Sequence, residues 1–83
     1  MIDRERSAEV IALVALIRPL LAGKSPPVQG AVLADLLAIW LAGHHVPGNP
    51  AATQSQRAEL LAQQLKAVAQ LVPVNAHLIG TTP

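Results

Sequence analysis

An all-α fold of three helices is predicted by three observations. Aliphatic residues recur at helical spacing along most of the chain. Two Gly/Pro-rich breaks cut that periodicity into three segments: Gly23-Lys24-Ser25-Pro26-Pro27, and Gly43-His44-His45-Val46-Pro47-Gly48-Asn49-Pro50. No segment alternates polar and apolar residues over strand length, so no strands are expected. The helices are placed at about 3–21, 26–42 and 50–72. Residues 1–72 then form one helical domain, and residues 73–83 a C-terminal tail that docks as a latch or frays.

The first helix carries Leu13, Leu16, Ile17, Leu20, Leu21, Val10 and Val14 on one arc of about 160°. Ala8, Ala12 and Ala15 cover much of the other side. Pro19 removes a backbone donor and crowds the Ala15 carbonyl, so the helix is expected to kink there or to end near Ile17.

The second helix has almost no polar side. Val28, Val32, Leu33, Leu36, Leu37, Ile39, Trp40 and Leu41 sweep about 220° of its circumference. Ala31, Ala34, Ala38 and Ala42 form an adjoining stripe of small residues, read as close helix packing or as plain helix propensity. The one charge is Asp35. A helix apolar nearly all round must be covered nearly all round, and two partner helices of the same chain leave part of it in water.

The third helix has two candidate starts. Asn49-Pro50 offers a cap with proline at the first helical position, while Thr53-Gln54-Ser55-Gln56 matches a capping box. Leu60, Leu61, Leu65, Val68, Leu71 and Val72 share an arc of about 140°, opposite Glu59, Gln63, Lys66 and Gln70. Pro73 is expected to end the helix, because the residue before a proline avoids the helical region.

Composition narrows the function. Hydrophobic residues make up 52% of the 83-residue chain and charged residues only 13%. The charged share is about half that of an average globular domain, which argues against disorder. A single small domain of this length buries only about 60–65% of the surface its unfolded chain exposes, which leaves it marginal alone. With no cysteine it lacks the disulfide or thiolate-metal staples that small domains use. Packing and oligomerisation remain. The net charge of +1 comes without a basic cluster, and Trp40 is the sole aromatic ring, so nucleic acid is not an expected partner. The mixed charges of Met1-Ile2-Asp3-Arg4-Glu5-Arg6 fit a secretory signal poorly. The stretch from Val28 to Gly43 is short against the roughly 20 residues that span a bilayer, so a membrane partner is not favoured and a cytoplasmic location is expected.

No nucleophile elbow, zinc-protease helix or glycine-rich phosphate loop is present, and the polar inventory is thin, so an enzyme is not expected. No cofactor or metal is implied. His44 and His45 are adjacent in a loop, where neighbouring rings diverge, and His77 lies in the tail. Asp35 is read as a rim carboxylate, a ligand-binding group, or a buried polar contact that fixes register with Arg57 or Gln64. Trp40 is an anchor, either within the chain or between chains, and its truncation to Ala costs roughly 3–5 kcal/mol if it is fully buried.

These features predict a non-enzymatic protein that acts through protein–protein association. The expected form is an obligate homodimer of up-down-up three-helix bundles, six helices in all, with another helical protein as the alternative partner. The candidate interface is Val32, Leu33, Leu36, Leu37, Trp40 and Leu41 of the second helix, with Leu13, Leu16 and Leu20 of the first. Two alternatives stay open: a small binder of apolar ligands or lipids, using an aliphatic cavity between helices with Asp35 or His44 as its polar groups, and a membrane-associated small protein.

Overall fold

The computed structural model describes residues 4–81, with side chains from Ser7 onward. Asp3, where the periodicity places the start of the first helix, lies outside the described residues. Within them the chain is all-helical, with three helices and no strands: α1 Arg4–Leu21, α2 Pro26–Ala42 and α3 Pro50–Ile79. They fall into two compact units divided between Asp35 and Leu36, inside α2.

In the first unit, α1 continues through Pro19 to Leu21 and does not end near Ile17. One missing donor at Pro19 is offset by the turn that follows it, which retains the Ala22 N–H bond to the Arg18 carbonyl at 3.0 Å. Arg18 lies in the last turn, where a cation suits the negative end of the helix dipole. The Leu21 carbonyl then accepts twice. The Lys24 N–H reaches it at 3.1 Å, and the Gln29 side-chain amide donates to it at 2.9 Å from the first turns of α2. α2 opens on Ser25, whose carbonyl takes the Gln29 N–H at 2.9 Å. Pro26 and Pro27 follow at the two positions where a missing N–H costs least.

In the second unit, α2 closes with bonds from Gly43 N–H to Ile39 and from His44 N–H to Leu41. Val46-Pro47-Gly48-Asn49 then makes a turn with proline second and Gly48 third, at φ +72°. The Asn49 N–H bonds to the Val46 carbonyl at 3.1 Å. This is the type II pattern, in which the third residue needs a positive φ and glycine supplies it without steric cost.

Of the two candidate starts for α3, the structure takes the earlier. Asn49 Oδ1 accepts from the Ala52 N–H at 3.0 Å and Pro50 stands at the first helical position. Thr53 therefore caps nothing. It lies one turn inside the helix and its hydroxyl ties back to Val46.

The end of α3 is a correction to the sequence reading. Residues 73–79, expected to be part of a tail, are the last turns of a 30-residue helix about 45 Å long. Pro73 costs α3 its own N–H bond to the Ala69 carbonyl. The helix runs past it to a well-formed end. Gly80 adopts a left-handed conformation at φ 76°, the Thr81 N–H bonds to Ala76 at 2.8 Å, and the Gly80 N–H bonds to His77 at 3.3 Å. These two bonds form a Schellman motif, which satisfies carbonyls that an abrupt stop at Val72 would leave open.

Candidate interaction surface

The aliphatic periodicity that builds the helices also fixes which side chains share a face. Among the described residues no side chain is buried. On α1 the expected interface residues Leu13, Leu16 and Leu20 are all exposed, Leu16 at 69% and Leu20 at 72%. On α2, Val32, Leu33, Leu36 and Trp40 are exposed, with Leu33 at 54% and Trp40 at 41%, while Leu37 and Leu41 are half-buried. Ile39, on another side of α2, is 62% exposed. Two of the nine candidate positions are thus half-covered, and the other seven lie open.

The three polar candidates fall in different settings. Asp35 and Gln64 are exposed and Arg57 is half-buried. Arg57 is the best-engaged side chain of the second unit. Its Nε donates to the His44 carbonyl at 2.9 Å and a terminal nitrogen donates to the Ala42 carbonyl at 3.0 Å. The guanidinium fork therefore closes the C-terminal end of α2, where carbonyls lack helical partners and the dipole favours a cation. The spacing of Arg57 within the α3 arc gave no sign of this role, because the bonds it makes are to backbone.

His44 joins the same junction. Its Nδ1 lies 2.7 Å from the Trp40 carbonyl oxygen, so this ring nitrogen carries the hydrogen and donates. The ring meets the Trp40 indole edge-on, with centroids 5.1 Å apart and planes at 73°. That contact orients Trp40 through its own helix end. The Val46 N–H donates to Thr53 Oγ1 at 2.9 Å, and the same hydroxyl reaches the Val46 carbonyl at 3.3 Å. Gln56 Oε1 is enclosed without a hydrogen-bond partner among the described residues. An unpaired enclosed carbonyl carries a desolvation cost.

Two open depressions mark the described surface. An open depression of about 420 Å³ lies beside the start of α3, edged by Val46, Thr53 and Arg57. Its Thr53, Asn49 and Arg57 side chains are already bonded to backbone. A second depression lies beside Pro19, between Ala15 and Ala22. Neither is an enclosed aliphatic cavity, which an apolar-ligand site would need. Among the described residues no three His, Asp or Glu side chains gather at one point. Nor is any described helix long and apolar enough to cross a membrane. Each helix presents exposed aliphatic side chains, and within the second unit the turn after α2 is tied by side-chain bonds to backbone. No protein-family model, curated protein or solved structure matches it.

Proposed function

We propose that this chain is a small non-enzymatic helical protein that acts by protein–protein association, as an obligate homodimer. One observation carries the reading: the apolar faces of α1 and α2 stand open, with Leu16, Leu20 and Ile39 each more than 60% exposed. Contiguous apolar patches beyond a few hundred Å² are rare on soluble monomers and mark surfaces that meet another molecule. Burying one such side chain contributes about 1.5–3 kcal/mol. A surface of this kind is a larger source of stability than any polar contact the chain makes.

In the assembled state, the three helices of each copy run up, down and up, and two copies pair through α2 and α1 into six helices. Val32, Leu33, Leu36, Leu37, Trp40 and Leu41 line the contact, joined by Leu13, Leu16 and Leu20. α2 supplies most of it because two neighbours cannot cover an apolar arc of about 220°. A C₂ arrangement follows from the prevalence of two-fold pairs among homo-oligomers.

Light scattering coupled to size exclusion at micromolar concentration tests the proposal. The expected mass is twice the 8.7 kDa chain mass. Leu36→Glu, which sets a charge in the middle of the contact, is expected to weaken association at least tenfold. A cooperative, fully helical monomer at these concentrations would end the proposal. A stoichiometric complex with a different helical protein, and no self-association, would replace it with the heteromeric reading.

A further inference from the structure

Helix α3 carries a pattern of its own. From Leu61 onward one face recurs at alternating steps of three and four residues: Leu61, Gln64, Val68, Leu71, Asn75 and Leu78. This is heptad spacing, with Leu61, Val68 and Asn75 at a and Gln64, Leu71 and Leu78 at d. The opposite side holds Gln63, Lys66, Gln70 and His77. Pro73 falls at position f, away from the seam, so the Ala69 carbonyl it leaves without a donor faces water. A helix that ended at Val72 would lose the last third of this seam. Continuation to Ile79 is what completes it. Of its four apolar members Leu61 is half-buried, while Val68, Leu71 and Leu78 are exposed, Leu78 at 73%.

Read in reverse, the seam has the same polarity. Leu61 answers to Leu78, Gln64 to Asn75 and Val68 to Leu71, and all three pairs are centred on one point between Ala69 and Gln70. A two-fold axis through that point lays two copies of α3 side by side, antiparallel. Every apolar position then faces an apolar one. The Gln64 amide of each copy faces the Asn75 amide of the other. We infer that the second copy covers this face with its own α3, in this antiparallel register. The inference rests on the homodimer proposed above and adds α3 to its contact, at the two-fold axis, beside the α2 and α1 residues named there.

The amides decide the register. Each carries two donors and an acceptor, so a Gln–Asn pair satisfies itself, whereas either group set against leucine is left unpaired. A one-step slip breaks both pairs. In the single copy the Asn75 amide nitrogen bonds only back along its own helix, to the Leu71 carbonyl at 3.0 Å. Parallel pairing would also bring amide to amide. It would, however, set Arg57, the d position before Leu61, against its own copy, like charge facing like charge. In the antiparallel register the position facing Arg57 lies past the end of α3, and its guanidinium stays on the Ala42 and His44 carbonyls. Antiparallel helices also oppose their dipoles. The overlap from Leu61 to Leu78 is about 26 Å long at 1.5 Å per residue. Leu65, Val72 and Val74, which flank the seam, are exposed as well.

Because the chain has no cysteine, disulfide trapping tests the register without background. Leu61→Cys and Leu78→Cys are prepared singly, then refolded alone and as an equimolar mixture under mild oxidant. The register places position 61 of one copy beside position 78 of the other. Two copies of position 78 lie about 25 Å apart along the axis, far beyond disulfide reach. The expected result is a covalent dimer in the mixture, approaching the half of chains that random pairing puts in mixed dimers, and none in either variant alone. Self-crosslinking of Leu78→Cys overturns the inference in favour of a parallel pair. No crosslink in the mixture, while scattering still reports dimers of both variants, removes α3 from the dyad and leaves the homodimer standing. A monomeric parent chain ends both readings. Should Leu61→Cys lose helicity by circular dichroism, Gln64→Cys with Asn75→Cys asks the same question at the next pair.

Discussion

The two turns of this chain do the same topological task with unequal means. Between α1 and α2, one side chain reaches across: Gln29 donates to the Leu21 carbonyl. Between α2 and α3, Arg57 binds the Ala42 and His44 carbonyls, Thr53 bonds Val46 in both directions, Asn49 caps the Ala52 N–H, and His44 holds the Trp40 carbonyl. Apolar cover does not compensate at either turn, since no described side chain is buried. The difference separates two properties that often coincide. Direction and geometry at the second turn are set by polar bonds, each with a net worth of about 0.5–1.5 kcal/mol. The free energy that keeps long helices folded has to come from apolar surface, and that surface is still available to a partner.

Breaking the second turn at its centre has the largest expected effect. Arg57→Ala removes two charge-assisted bonds and leaves two carbonyls at a helix end without their donors. Bonds to charged groups contribute about 1.5–3 kcal/mol when well shielded, and Arg57 is half-buried, so a total loss of about 2 kcal/mol is expected. For a domain of this size, that lowers the melting temperature by roughly 8–16 °C in a thermal scan at fixed protein concentration. Arg57→Lys should recover less than half of the loss, because a single ammonium cannot span two carbonyls as the guanidinium fork does. Equal stability of the Ala and Lys variants would mean that the aliphatic stem, not the fork, holds the turn.

The contrast between the turns also marks where the sequence was legible. Apolar period and Gly/Pro breaks located all three helices, because burial and backbone rules act on short windows of chain. Asn49-Pro50 and Thr53-x-x-Gln56 both read as starts, and the choice between them turned on Thr53 bonding Val46, a loop contact that no helix-start rule contains. Pro73 misled for a related reason. Its local cost is real, but the Schellman end at Gly80 and six further residues of helix outweigh it. Gly80 directly after Leu78-Ile79 was the signal that could have placed that end. In the sequence Arg57 reads only as a register partner for Asp35, and its bonds to Ala42 and His44 depend on how the chain folds back. That α2 has no polar side predicts a helix in need of cover, and Leu33, Leu36 and Trp40 on it are exposed.

Asn49→Ala tests the same turn one step further from its centre. The substitution removes the cap on the Ala52 N–H while leaving the Arg57 bonds in place. A loss of about 1 kcal/mol is expected in chemical denaturation, with the slope against denaturant unchanged. Combined with Arg57→Ala, the two losses should fall short of additive, since both act on the segment between Ala42 and Ala52. Strict additivity would show that the cap and the fork hold independent pieces of structure, and that the second turn is not one unit.

The smallest effect belongs to the first turn. Gln29→Ala deletes its one side-chain bond, but the Leu21 carbonyl keeps the Lys24 N–H at 3.1 Å and stands close to solvent. A neutral bond replaced partly by water is expected to cost about 0.5 kcal/mol, near the limit of a denaturation measurement. Amide hydrogen exchange is the better reading. Gln29→Ala should speed exchange at Lys24 severalfold and leave the Val46 and Ala52 amides of the second turn unchanged. Matching acceleration at Val46 would mean that the two turns open together, and the distinction between a lightly tied turn and a heavily tied one would lose its physical content.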